Sequence, residues 1–171
     1  MCAWIGRIGH ELGAEPSLTG EREPIAVFAM AGIVEGSISK LEGRLSDGLS
    51  EAARVHIRTG SRDGSPGDRL AFDLGEVFAV AAPPRPPSPY RVARRQHAFD
   101  IEAGPYRVHG VAHLPLGADP ARYVASAPRR WLPLTDCTVS SGDNEWAIEV
   151  VIVNLDHASR ERLAYQAPPF G

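Results

Sequence analysis

Apolar and polar positions alternate along this chain in short runs. No run keeps the three-to-four spacing of a long amphipathic helix. The stretch "PIAVFAMAGIVEGSISKL", Pro24 to Leu41, is rich in β-branched residues and broken by Gly32 and Gly36. It predicts strands over 25–30 and 33–41, or one long bent strand with a bulge at Gly32. "RLSDGLSEA" then reads as a turn or one short helix. "ARVHIRTG" alternates Val55 and Ile57 with His56 and Arg58, the pattern of a half-buried strand. "SRDGSPGD" is a turn cluster, and "GEVFAVAA" predicts the strand that closes the first half.

Five prolines between Pro83 and Pro89 interrupt this pattern. Proline cannot donate to a sheet ladder or sit inside a helix, so the stretch predicts an extended spacer. Five segments follow: an N-terminal extension (1–23), a first small β unit (24–82), a Pro/Arg-rich linker (83–96), a second small β unit (97–157) and a C-terminal tail (158–171). The second unit repeats the order of the first. "YRVHGVAHLPL" is a strand with a bulge expected at Gly110. "GADPARYVASA" is a turn or short helix, with Asp119 as N-cap and Pro120 in the first turn. "RRWLPLTDCTV" is a strand and "SSGDN" a turn. "EWAIEVVIVNL" is a strand whose near-continuous apolar run predicts burial on both faces.

The spacing supports a repeat. Gly36 and Gly43 are seven residues apart, as are Gly110 and Gly117. Arg54–Val55 aligns with Arg130–Trp131, and Glu76–Val77 and Ala79–Val80 align with Glu149–Val150 and Ile152–Val153. The expected fold is therefore mainly β: two tandem small β-barrel or meander units, each with a short helix, related by internal duplication. In each unit the first glycine, Gly36 or Gly110, is expected to permit a bulge or a close backbone approach. The second, Gly43 or Gly117, is expected to permit the turn before the helix. A unit of this size buries little surface alone, so two copies side by side would complete a shared core or interface.

His109–Gly110, Leu114–Pro115, Gly117, Leu132–Pro133–Leu134–Thr135–Asp136 and Val153–Asn154 follow the pattern of a small bacterial β-domain family of unknown function. The chain resembles that family most clearly over residues 106–154, and the resemblance implies a fold without implying an activity.

Composition narrows the function classes. The 171 residues carry a net charge of −3 with a pI near 6.1, which argues against a generally basic nucleic-acid binder. The chain has no apolar run of membrane-spanning length. In "MCAWIGRIGHEL" an Arg, a His and a Glu interrupt what would be the apolar core of a signal peptide. Cys2 and Cys137 are far apart and are expected as free thiols in a cytoplasmic protein.

Candidate chemistry is sparse. His109 and His113, four apart on a strand, would stand about 13 Å from one another, too far to share a metal. There is no nucleophile elbow, and Cys137 falls mid-strand, where a small buried hydrophobe belongs. The Gly-rich "GSRDGSPGD" lacks the Lys-Ser/Thr ending of a phosphate loop. No catalytic residue, metal or cofactor is expected. The chain reads as a non-catalytic binding or assembly module that works through its sheet edges or the face between its units, with protein (itself or another) as partner. The alternative is nucleic-acid or anionic-ligand binding by Arg94, Arg95, Arg129, Arg130 and Trp131, with Arg85 and Arg91 nearby on the linker.

Overall fold

The computed structural model describes residues 11–12, 20–41, 43–60, 67–86, 92–125, 130–158 and 164–166. The turn cluster at 61–66, linker residues 87–91, Arg129 and Cys2 lie outside them. In the first half, β1 (Glu11–Leu12), β2 (Arg22–Ala29) and β3 (Gly32–Ser39) precede a short helix, α1 (Leu45–Glu51). β4 (Arg54–Arg58), β5 (Arg69–Asp73), a 3-10 turn (Leu74–Glu76) and β6 (Val77–Ala81) follow. The two strands around Gly32 form a hairpin turning at Met30–Ala31, not one bent strand; Ala29 pairs with Gly32, whose φ is +120°. β2, β3, β4 and β5 form an antiparallel meander, and β6 returns to pair with β2. β1 lies parallel to β4.

The second half has the same sequence of pairings. β7 (Arg94–Ala103), β8 (Tyr106–Pro115), α2 (Pro120–Ala125), β9 (Trp131–Ser141) and β10 (Asn144–Asn154) form a meander with the helix between its second and third strands. After a turn at 155–157, β11 (Ala164–Gln166) returns to β7. The Asp119 carboxylate accepts from the Arg122 amide at 2.9 Å, capping α2 as its sequence predicted. Two segments differ from expectation. Arg94–Gln96, assigned to the linker, already belong to β7, and the tail supplies β11. β7 reads "RRQHAFDIEA", with His97, Phe99, Ile101 and Ala103 all inward. That alternation directly follows the proline run, which masks it.

The protein is mainly β, but the sheet does not close into a barrel. Its eleven strands run β1-β4-β3-β2-β6-β10-β9-β8-β7-β11, with β5 beside β4. Closing the first meander would require β6 to pair with β5. β6 has only two edges, and β2 and β10 occupy them. The strand that would close one unit is thus spent joining the two, through Val151↔Ala81, Ile152↔Val80 and Val153↔Ala79.

Because side chains alternate across a strand, this junction feeds a core on each face. Val27, Val80 and Ile152 point into the first, with Ile38, Leu49, Val55, Ile57 and Trp131. Phe28, Ala79, Val151 and Val153 point into the second, with Phe99, Ile101, Val108, Leu114 and Leu134. β6 is buried at every position, and β10 is buried on both faces over Val151–Asn154. The expected two-faced burial of "AIEVVIVNL" therefore holds for its C-terminal part only.

Polar contacts reinforce the junction. Asn154, buried in β10, donates from Nδ2 to the Leu74 and Val77 carbonyls at 3.1 and 2.9 Å. Its Oδ1 accepts from the Asp156 amide at 3.1 Å. Carbonyls on one side and an amide on the other leave only one orientation for the side-chain amide. The Tyr106 hydroxyl donates to the Ala29 carbonyl at 2.9 Å, and its ring meets Phe28 edge-on at 5.2 Å.

Three of the four glycines singled out in the sequence are required, two for want of room and one for its backbone conformation. A Cβ on Gly36 would lie 2.8 Å from the Arg58 carbonyl oxygen, and one on Gly110 would lie 2.7 Å from Cys137 Sγ. Both are positions where β3 and β8 press against the strand after the helix. The bulge expected at Gly110 is present as a register shift between His109 and Val111. Gly117 takes φ +81° at the turn before α2. Gly43 is exposed, with open space where a Cβ would go and no left-handed φ, so the turn before α1 does not need it.

Candidate binding site: an open sheet edge and a basic cleft

β10 is eleven residues long and pairs with β9 along almost all of that length. On its other edge β6 pairs only with Val151–Val153, and one further bond joins the Ala82 amide to the Val150 carbonyl. Beyond Ala82 the chain leaves the sheet for the linker. Among the described residues, no strand pairs with this edge of β10 over Asn144–Glu149. In an antiparallel ladder, alternate residues direct their amide and carbonyl groups away from the neighbour. An unpaired row of backbone donors and acceptors is therefore exposed here.

This edge lines an open groove of ≈ 820 Å³. Trp146 and Ile148 form one wall and Ile33 of the β2–β3 hairpin forms the other, with Phe28 and Tyr106 buried behind it. Among the described residues Glu35 is the only charged one lining the groove. Glu145 and Glu149 are exposed along the same stretch of β10, so the charges around the edge are acidic.

The second concavity is a cleft of ≈ 200 Å³ at the joint between the halves. Arg44 and Ser46, at the start of α1, reach it from the first half. Arg94, His113 and Tyr123 reach it from the second, over a floor that includes Trp131, Leu132 and Leu155. Arg94 Nη1 donates to the His113 carbonyl at 3.2 Å, and His113 Nε2 lies 3.1 Å from Thr135 Oγ1.

The predicted binding residues are thus partly gathered. Arg94 and Trp131 meet at the cleft, although Trp131 is only 3% exposed and packs into the first core, so it presents no open face for stacking. Arg95 is exposed on β7 opposite Leu114. Arg130 is held by Asp156 at 2.6 Å. Arg129 lies outside the described residues. Arg85 is tied down, donating to the Gly43 carbonyl and to Glu23 Oε2 at 2.8 Å, which fastens the start of the linker to the first half. Reading the sequence missed Arg44 and the open edge of β10. Arg44 sits in a segment with no basic cluster around it. The open edge depends on where β6 ends, which no local pattern of β10 records.

Cys137 is buried against Gly110. Burial, with the Asp136 charge adding to it, pushes its thiol up to about 11. A thiol held protonated in this way is a poor nucleophile. Among the described residues no helix is long and apolar enough to cross a membrane. The chain matches no protein-family model, no curated protein sequence and no solved structure at a significant level.

Proposed function

We propose that this protein is a non-catalytic binding module that takes an extended segment of another protein as an added strand on β10. The observation that carries this reading is the unpaired Asn144–Glu149 edge lining an apolar groove. Strand addition draws affinity from backbone hydrogen bonds and specificity from alternate side chains in flanking pockets. Trp146, Ile148 and Ile33 supply the apolar pocket. Glu35, Glu145 and Glu149 favour a segment whose other positions are Lys or Arg. The same acids disfavour pairing of two copies at this edge: antiparallel self-pairing centred on Ala147 would set Glu145 opposite Glu149, and like charges directly opposed are destabilising.

A phage-displayed library of eight-residue peptides tests this reading. Selection is expected to enrich alternating apolar and basic sequences. Their binding should perturb the backbone amide signals of Asn144–Glu149 and the Trp146 indole, and Trp146→Ser should weaken it by about tenfold, the scale of a lost apolar anchor. Enriched peptides that bind elsewhere and ignore Trp146→Ser would sink the proposal.

We further infer that the halves are duplicated copies of one unit. Three features support this: a helix between the second and third strands of each meander, a last strand that returns to the first, and Gly36 and Gly110 each pressed against the strand after the helix. On this reading β5 corresponds to β10 and β6 to β11. The alignment that sets "EVFAV" over "EVVIV" instead matches two strands that are neighbours in the sheet. An experimental structure in which the halves fail to superpose with Gly36 over Gly110 would refute the duplication.

A further inference from the structure

The basic cleft makes a different demand from the peptide edge. Among the described residues neither Asp nor Glu lines it, and neither Arg44 nor Arg94 is in an ion pair. Arg85, Arg107 and Arg130, in contrast, each hold a carboxylate. The neighbouring Asp47 accepts from the Ser46 hydroxyl at 3.4 Å and stays outside the lining. Two arginines from opposite halves of the chain therefore line one opening with no counter-charge among the described residues. Like charges at such a site repel unless an anion lies between them, and a guanidinium is shaped to grip a carboxylate or phosphate through paired N–H groups. The bond from Arg94 to the His113 carbonyl fixes one of the two grips in advance.

The floor adds a second requirement. Leu155, half-buried, gives the floor an apolar surface, with Trp131 and Leu132 almost fully buried behind it. At ≈ 200 Å³ the cleft is smaller than the sites that hold drug-sized molecules, which run from roughly 300 Å³ upward. We propose that it binds a small organic oxyanion, a carboxylate or phosphate ester carried on a compact apolar body, with Arg44 and Arg94 gripping the anionic group. Such a ligand bridges the halves, because Arg44 precedes α1 and Arg94 opens β7.

Calorimetric titration with benzoate, phenyl phosphate and inorganic phosphate at low salt tests the proposal, with acetate as a carboxylate lacking the apolar body. Saturable one-to-one binding of benzoate or phenyl phosphate is expected, and whichever binds tighter identifies the anionic group. Arg44→Ala and Arg94→Ala should each weaken it by about tenfold, the scale of one lost charged hydrogen bond, and Arg94→Lys should restore part of the loss. Both arginines are exposed, so their truncation leaves the cores filled, and circular dichroism on each variant checks that the fold is intact. Two results would overturn the proposal: no saturable binding of any of the four anions at about 10 mM, where a millimolar site would be filled, or binding that both alanine variants leave unchanged.

Discussion

Asn154 is a single side chain with three hydrogen bonds, two of which cross the join between the halves while the third, from the Asp156 amide, holds the side chain in place. Replacing it with Ala leaves the Leu74 and Val77 carbonyls without their donors in a buried setting. The expected loss is about 2–4 kcal/mol of stability, read as a lower urea midpoint. The glycines give a contrast that the sequence spacing alone does not. Gly36→Ala and Gly110→Ala each force a Cβ into an occupied position and should destabilise by about 1–3 kcal/mol. Gly43→Ala should change stability by less than about 0.5 kcal/mol, because its Cβ would meet open space. The identical seven-residue spacing thus conceals two different second glycines, since spacing carries no φ. Cys137 adds a pH dependence. Its ordinary value is 9.0 and its native value about 11, so above pH 9 the unfolded chain gives up a proton that the native state keeps. Stability should fall as pH rises through this interval. Cys137→Ala should lack that component when the two proteins are compared by denaturation at several alkaline pH values; equal pH slopes would refute it.

At the scale of elements, β2, β3, β4, β6, β8, β9 and β10 were legible, each from a two-residue period or a β-branched apolar run flanked by turn residues. β7 has as good a period, but the Pro/Arg run before it drew its first residues into the linker. β5, "RLAFD", stayed hidden because it is exposed or half-buried throughout and offers no apolar face to detect. β9 contains a second device. Leu132 and Leu134 face the second core before Asp136, and Cys137 and Val139 face it afterwards, so the inward parity changes within one strand. Asp136 takes φ +52°, and the β8–β9 register shifts at the same place. One extra residue in a bulge re-aims the rest of the strand, and Asp tolerates the left-handed conformation better than most residues. In "PLTDCTV" that switch looks like an ordinary interruption of the alternation.

At the scale of the whole molecule, the sequence spoke for two like halves and the structure adds how they are joined. β6 pairs with β10 instead of closing its own meander, so the halves share a sheet and lend residues to one another's cores: Trp131 and Ile152 to the first, Phe28 and Phe78 to the second. The same join determines the proposed function, because β6 ends at Ala81 while β10 extends seven residues beyond its paired segment, from Asn144 to Val150. Amide hydrogen exchange along β10 in the free protein, followed residue by residue by NMR, tests this most directly. The account predicts uniform protection over Val151–Val153, where both edges are bonded. It predicts alternating protection over Asn144–Glu149, with the amides that face away from β9 exchanging fast. Uniform protection over Asn144–Glu149 would mean that the edge is already covered, and would contradict the claim that it is open to a partner strand.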